Sequence, residues 1–295
     1  GKTSTLAHNP DEAIEDLATL VKESVADAGL TVKQIDGVGI GAPGAVDPER
    51  GMVYKAPNLG WNNVPLGPAL KRLLHVPIIV DNDVNAGTVG EHALGAGERV
   101  RDMVGIFVGT GIGAGIILGG KLYYGCRGSA GEIGHTVLEV DGPRCGCGRR
   151  GCVEALASRT AMERDVRAAI KSGRKSAVLQ IMKERNRTRM TSGIIARALK
   201  NRDPVMREVM KRAQYYLGVA VANAVNMLDP ARVVIGGGIA ERLGEDFVAP
   251  MRPTAYAYFL NQDNAQRIKI LPGSLGDNAG AMGAVVLTRQ RLGKA

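Results

Sequence analysis

Apolar and polar positions change period several times along the chain, and each change marks an element. Over residues 10–28, Ile14, Leu17, Val21 and Val25 recur at helical spacing among charged neighbours, which predicts an amphipathic helix. Asn9 suits its N-cap, Pro10 its first position and Gly29 its end. Asp11, Glu12, Glu15 and Asp16 complement the positive end of its dipole. An extended run near Gly37–Gly41 leads into Ala42-Pro43-Gly44, a turn signal. The apolar run Pro77–Asp81 predicts a short buried strand, with a helix over Val84–Leu94 directly after it. Asp102–Val108 and Gly113–Leu118 predict two strands joined at Gly109-Thr110-Gly111, a hairpin signal. From Val153 to about Met227 the period is helical, with breaks near Ser172–Ser176 and Asn201–Pro204. Arg232–Ile235 is a further strand running into Gly236-Gly237-Gly238, Arg267–Leu271 is another, and Gly280–Leu292 is a terminal helix. Strands alternating with helices predict an α/β protein whose mixed or parallel sheet is covered on its faces. The texture changes near residue 96, which is the best domain boundary, and no repeat or Ser/Pro linker is present.

Composition narrows the class. A length of 295 residues suggests about two domains. An apolar share of 45% with 23% charged residues excludes whole-chain disorder or coiled coil. Glycine, at 40 residues, is about twice its usual share and has no Gly-X-Y period, which fits an α/β backbone approaching ligands closely. Aromatics at 4% argue against a stacking platform for single-stranded nucleic acid. The longest uncharged stretch, Val104–Gly120, is 17 residues with seven glycines, short of a membrane span. No signal peptide is evident, and the expectation is a cytoplasmic protein without membrane contact. The net charge of +9 is uneven: residues 144–212 hold 19 Lys and Arg against 6 Asp and Glu, and the rest of the chain is slightly acidic. Without interleaved aromatics this excess reads as a solvated helix face, or as an aid in attracting an anionic substrate, rather than as a nucleic-acid surface.

The strongest chemical signal resembles a metal site. Cys145, Cys147 and Cys152 fall within eight residues, and His135 lies ten upstream. Three thiolates and an imidazole make a closed tetrahedral set, the usual structural zinc arrangement. The alternative is a disulfide or reduced core thiols, although nothing implies secretion. Cys126 is left over and is expected to be a small buried hydrophobe. Glu132 and Glu154 flank this loop, where carboxylates held rigidly can accept hydrogen bonds from sugar hydroxyls; taken singly, each is also an ordinary surface acid. Asp81-Asn82-Asp83-Val84-Asn85 lies where a strand enters a helix, the usual ligand position in open α/β sheets. A carboxylate there can take a proton from an attacking hydroxyl, or these residues can simply cap the helix. Gly109-Thr110-Gly111-Ile112-Gly113 offers free backbone N–H groups and a hydroxyl for phosphate, but no Gly-Lys-Ser/Thr follows, so it is not a Walker A loop. Gly236-Gly237-Gly238 is a second glycine turn, before a helix.

Taken in order, these motifs resemble the ROK family, sugar kinases and sugar-responsive repressors with the actin-like ATPase (ribonuclease H-like) fold. Glu132-x-Gly134-His135 followed by Cys145-x-Cys147-Gly-x-x-Gly-Cys152-x-Glu154 is the specific part. The resemblance implies two lobes about a central cleft, residues 1–95 with 279–295 forming the smaller and 96–278 the larger. It implies zinc on His135, Cys145, Cys147 and Cys152, and sugar on Gly44, Asn82, Asp83, Glu132, His135 and Glu154. Asp83 becomes the general base. Gly109, Thr110, Gly111 and Gly113 become the second phosphate loop, and Gly237 the adenosine side. The implied activity is ATP- and Mg²⁺-dependent phosphorylation of a hexose 6-hydroxyl, with glucose ahead of N-acetylated hexosamines, mannose and fructose. Asn58-Leu-Gly-Trp61 resembles the family's glucose kinases more than its amino-sugar kinases, and Trp61 is otherwise a core anchor. The alternatives are a sugar-sensing repressor or an inactive sugar-binding homologue. A dimer or tetramer is implied as well. Kinases of the family begin with a strand carrying Asp-x-Gly-Gly-Thr, a first phosphate loop that this sequence lacks; the pattern joins at Gly1-Lys2. The expectation is that about 15–25 upstream residues carry that motif.

Overall fold

A computed structural model describes residues 9–294, so the join at Gly1-Lys2 lies outside the described residues. Helix α1 (Pro10–Asp27) starts as the sequence predicts: the Asn9 side chain accepts from the N–H groups of Asp11 and Glu12, and Pro10 opens the helix. Its Ile14, Leu17 and Val21 face one core with Trp61, Leu66, Leu70 and Val80. Strand β1 (Val38–Ala42) then leads through the Pro43-Gly44 turn to β2 (Ala45–Asp47), β3 (Met52–Ala56) and β4 (Trp61–Val64). These last three form a small antiparallel sheet. The sequence reading does not anticipate it, because strands of three to five residues are too short for alternation to declare itself. Helix α2 (Leu66–Leu74) follows, then β5 (Ile78–Asn82), which pairs in parallel with β1, and α3 (Asp83–Leu94).

The second sheet is built on the hairpin of β6 (Met103–Val108) and β7 (Ile112–Leu118), extended by β8 (Lys121–Leu122). Helices α4 (Val153–Ala157), α5 (Arg159–Lys171), α6 (Val178–Glu184), α7 (Ser192–Lys200) and α8 (Pro204–Leu228) come next. The helical run has two breaks more than predicted: at Ser158 between α4 and α5, where the backbone is extended, and after α6, where Asn186 adopts a left-handed φ of 49°. Strand β9 (Arg232–Gly236) joins the sheet parallel to β6. It is followed by α9 (Gly238–Leu243), α10 (Glu245–Val248) and α11 (Arg252–Ala257). Strand β10 (Lys269–Pro272) completes the order β10-β9-β6-β7-β8, and α12 (Ala279–Arg291) ends the chain.

Buried side chains form two large clusters, one around the small sheets and one around β6, β9 and α8. A third, smaller cluster joins α3, β6, β9 and α12. Helices α3 and α12 run almost backbone to backbone: a Cβ on Gly283 would lie 1.6 Å from the Ala86 carbonyl oxygen. Much of the glycine excess thus serves close packing of elements as well as loops that face a ligand. Trp61, 3% exposed, is a core residue. Cys126 departs from expectation: it is exposed, because it sits in the loop after β8 and no element covers it.

Candidate functional site

A cavity of about 460 Å³ lies where the ends of β5, β6 and β7 meet. It collects residues that the sequence spreads over nearly two hundred positions: Gly44, Asn82, Asp83, Gly109, Thr110, Gly111, Gly113, Glu132, Glu154 and Gly237 all line it. Asn58 does too, while Trp61 does not.

At the strand-to-helix junction the cap and the uncommitted carboxylate are different residues. Asn82 is the cap: its Oδ1 accepts from Val84 N–H (2.9 Å) and Asn85 N–H (3.1 Å), and its Nδ2 donates to the Gly44 carbonyl (3.1 Å). Asp81, only 1% exposed, is fully occupied. It accepts from Asn82 N–H (2.8 Å), Asn85 Nδ2 (3.1 Å) and the Tyr124 hydroxyl (2.6 Å). Asp83, the first residue of α3, turns its carboxylate to the open cavity, and among the described residues its partners are local, the neighbouring Val84 N–H at 2.9 Å and its own N–H. Although its side chain reaches solvent, it lies low between the walls of the cavity. That burial raises its carboxyl above the ordinary aspartate value, against the opposing pull of the Val84 N–H and its own N–H. A carboxylate so placed holds a proton more readily than a surface aspartate, as a general base requires. If Asp83 is that base, the acid limb of kcat/KM for phosphoryl transfer should fall above ~3.9, the usual aspartate value. Turnover should be lost as pH drops through it, measured as a pH–rate profile.

Tyr124 has no motif to announce it. Burial, and then the Asp81 charge, push its phenol pKa well up, so it stays a donor. Arg291 of α12 approaches the Tyr124 hydroxyl at 3.4 Å and bonds Pro48 O and Glu49 Oε1, tying α12 to the β2–β3 turn behind the cavity. Tyr124→Phe should cost about 1.5–3 kcal/mol, the worth of a bond to a buried charge, read by denaturant unfolding.

The hairpin turn is held from two sides. Arg159 N–H donates to the Gly109 carbonyl (3.0 Å), and the Thr160 hydroxyl donates to the Thr110 carbonyl (2.8 Å). On the other side Ile112 N–H donates to Glu154 Oε2 (3.1 Å). The N–H groups of Thr110 and Gly111 find no acceptor among the described residues. They form an open anion cradle. Glu154 is therefore both a wall of the cavity and a brace for the hairpin, a second role that its position in the sequence does not reveal.

Glu132 and His135 are separated by a close passage along β7. A Cβ on Gly134 would lie 1.9 Å from the Ile112 carbonyl oxygen, so only glycine fits there. The chain then places Glu132 on the cavity and His135 with the cysteines. His135 is not among the residues lining the cavity. One ligand atom from each of His135, Cys145, Cys147 and Cys152 lies within 4.8 Å of all the others. The Cys147–Cys152 Sγ separation and the Cys145 Sγ–His135 Nδ1 separation are both 3.7 Å. A tetrahedron with ~2.3 Å metal–sulfur bonds has edges of about 3.8 Å, so the donor set fits a zinc-sized ion. All four cysteines are free. Burial pushes the Cys145 thiol up to about 12, while the Arg149 backbone N–H pulls Cys147 down to about 6. A cation among the sulfurs is what would let all three ionise together.

Comparison with known proteins gives a consistent picture. Residues 2–291 match the sequence profile described as ROK family. A protein named glucokinase from Halalkalibacterium halodurans is 34% identical over 94% of this chain and 86% of its own length. A xylose repressor from Caldicellulosiruptor bescii is also 34% identical, over 96% of this chain and 69% of its own. Among solved structures, a ROK family glucokinase from Streptomyces griseus in complex with glucose and AMPPNP superposes with a TM-score of 0.85. It is 31% identical, with 98% of this chain and 91% of that one covered.

Proposed function

The chain belongs to the ROK family, and on that premise we propose that it is an ATP-dependent hexose kinase that converts glucose to glucose 6-phosphate. Its fold is the two-lobed, actin-like ATPase fold. The observation that carries the reading is the cavity itself. It joins one uncommitted carboxylate, Asp83, to an open backbone cradle at Thr110 and Gly111. The similarity to glucokinases, and to a structure holding glucose and an ATP analogue, supports it.

In this mechanism Asp83 takes the proton of the sugar 6-hydroxyl as that oxygen attacks the γ-phosphorus. The transition state is loose and in-line, so the protein supplies position and hydrogen-bond donors more than covalent chemistry. Thr110 and Gly111 N–H groups meet the phosphate, and Gly109 and Gly113 keep that turn free of side chains. Gly237 lies on the nucleotide side, and Mg²⁺ arrives with ATP. Glu132 and Glu154 accept sugar hydroxyls, with His135 behind them, while Gly44 and Asn82 frame the sugar through their mutual bond. Zn²⁺ held by His135, Cys145, Cys147 and Cys152 has a structural role, because four protein ligands leave no open position. The lobes are divided as residues 1–95 with 279–295, and 96–278, in keeping with the two main cores. Assembly into a dimer or tetramer belongs to the same proposal. The adjoining exposed side chains of Met227 (82%), Tyr258 and Leu260 (89%) are the candidate contact, and sedimentation would read it. Among the described residues, no helix is long and apolar enough to cross a membrane.

A sugar-sensing repressor is the second reading, favoured by the equal identity to a xylose repressor. It leaves the uncommitted Asp83 and the open cradle without a task. A hexose panel of glucose, mannose, fructose and N-acetylated hexosamines, with coupled ADP detection, separates the two. Turnover led by glucose is expected, and sugar binding without turnover on any hexose would defeat the kinase reading.

A further inference from the structure

Two sets of arginines, in and just beyond the basic region, differ in their partners. Arg164, Arg167, Arg174, Arg189 and Arg212 each meet a carboxylate. Arg159, Arg185, Arg187 and Arg242 meet none among the described residues, and all four line a second cavity of about 600 Å³. Glu241 and Asp277 line it too, and Glu241 stands against Gly276, next to Asp277. This cavity adjoins the first one at two places: Gly237 lines one and Gly238 the other, and Thr110 lines one while Arg159 lines the other.

Arg159 spans that junction. Its Nη2 donates to the Thr110 hydroxyl at 2.5 Å, so the guanidinium rests on the same turn whose N–H groups are open. It is half-buried, and the nearby Glu163 is already committed to Arg167 (2.8 Å), Arg189 (3.1 Å) and Met190 N–H (2.9 Å). Burial, and then the Arg189 charge, lower the Arg159 pKa, the mark of a cation short of a counter-charge. A half-buried guanidinium bonded only to a hydroxyl is costly, and a phosphate would relieve it with a paired, charge-assisted contact.

We propose that Arg159 is a phosphate ligand of the donor, taking a non-transferred phosphate where the nucleotide passes from the second cavity to the Thr110–Gly111 cradle. The assignment rests on the kinase reading and adds a residue to it. Polarity follows from the walls: phosphates lie toward Arg159, and the ribose toward the Asp277 side of the second cavity.

The test compares ligands with and without phosphate. ADP, adenosine and glucose are titrated calorimetrically into the wild-type chain, R159A and R159K, and KM for ATP is measured alongside. R159A should weaken ADP by about 10–100-fold, as expected for lost bonds to a charged group, with adenosine and glucose within about 3-fold. R159K, which keeps the charge but not the fork, should recover part of the ADP affinity. Loosening of the hairpin alone is read from T160V, which removes the Thr160 brace on the Thr110 carbonyl: ADP within about 3-fold of wild type is expected there, and an ADP loss equal to that of R159A would overturn the proposal. Equal losses for both ligands, or unchanged ADP binding, would overturn the proposal. Should R159A fail to fold, the same comparison of ADP with adenosine on R159K decides. Wild-type protein that binds no ADP would defeat the kinase reading; ADP binding that R159A leaves intact would defeat only the role of Arg159.

Discussion

Replacing Asp83 by asparagine is expected to lower kcat by about 10²–10⁴-fold, the usual worth of a general base, while glucose still binds. The amide retains the shape and the acceptor for Val84 N–H but cannot take the proton. Asp81, the neighbouring acid, cannot substitute: its carboxylate is buried and already accepts three hydrogen bonds. Stability should move the other way. Burial raises the Asp83 pKa in the folded chain, so its ionised form opposes folding above that pKa. The cost disappears as pH falls below the unfolded-state value. D83N should therefore match or exceed the wild type in urea at pH 7, with the difference shrinking in acid. Near-normal kcat in D83N would remove Asp83 as the base, and a less stable D83N at pH 7 would contradict its burial as a strained functional group.

Loss of the proposed zinc is expected to be as damaging, by a longer route. The loop from Val137 to Cys152 carries no helix or strand: two isolated β-bridges, turn hydrogen bonds such as Cys145 N–H to the Arg149 carbonyl, the packing of Leu138 on the large core and a small buried cluster of Cys145, Cys152 and Ala155 hold it. Structural zinc in small domains contributes about 10–16 kcal/mol of binding free energy that is realised as folding. Cys147→Ser should therefore lower zinc content from about one equivalent per chain, by elemental analysis. It should also weaken glucose binding, since the loop between Glu132 and Glu154 loses its anchor. The same loop ends in Glu154, which braces Ile112 N–H, so ADP affinity should fall with glucose affinity. Unchanged metal content and unchanged sugar binding in Cys147→Ser would refute the ligand assignment. Lost metal with intact ADP binding would refute the brace.

What the sequence by itself determined is local. Asn9 and Pro10 start α1, the run Pro77–Asp81 gives β5, and Gly109–Gly111 turns β6 into β7, each through contacts within a few residues. The cysteine loop is legible for the same reason, since its thiols fall within eight positions and need only a tight turn to converge. Chain order and motif resemblance extended this to the two-lobed family fold and to ten of the residues that line the cavity, Gly44, Asp83 and Glu154 among them. The resemblance singled out Asp83, but the residues alone could not divide the labour among Asp81, Asn82 and Asp83, because three adjacent polar residues read alike until the Tyr124 hydroxyl and the Gly44 carbonyl choose among them. Tyr124 meets Asp81 across 43 positions, Arg159 meets Thr110 across 49, and Arg291 meets Glu49 across 242. Such meetings depend on how whole elements pack, and that is fixed by the joint burial of many side chains rather than by any one segment. Exposed Cys126 makes the same point in reverse: cysteine favours burial on average, but only the packed structure decides whether an element is present to cover it.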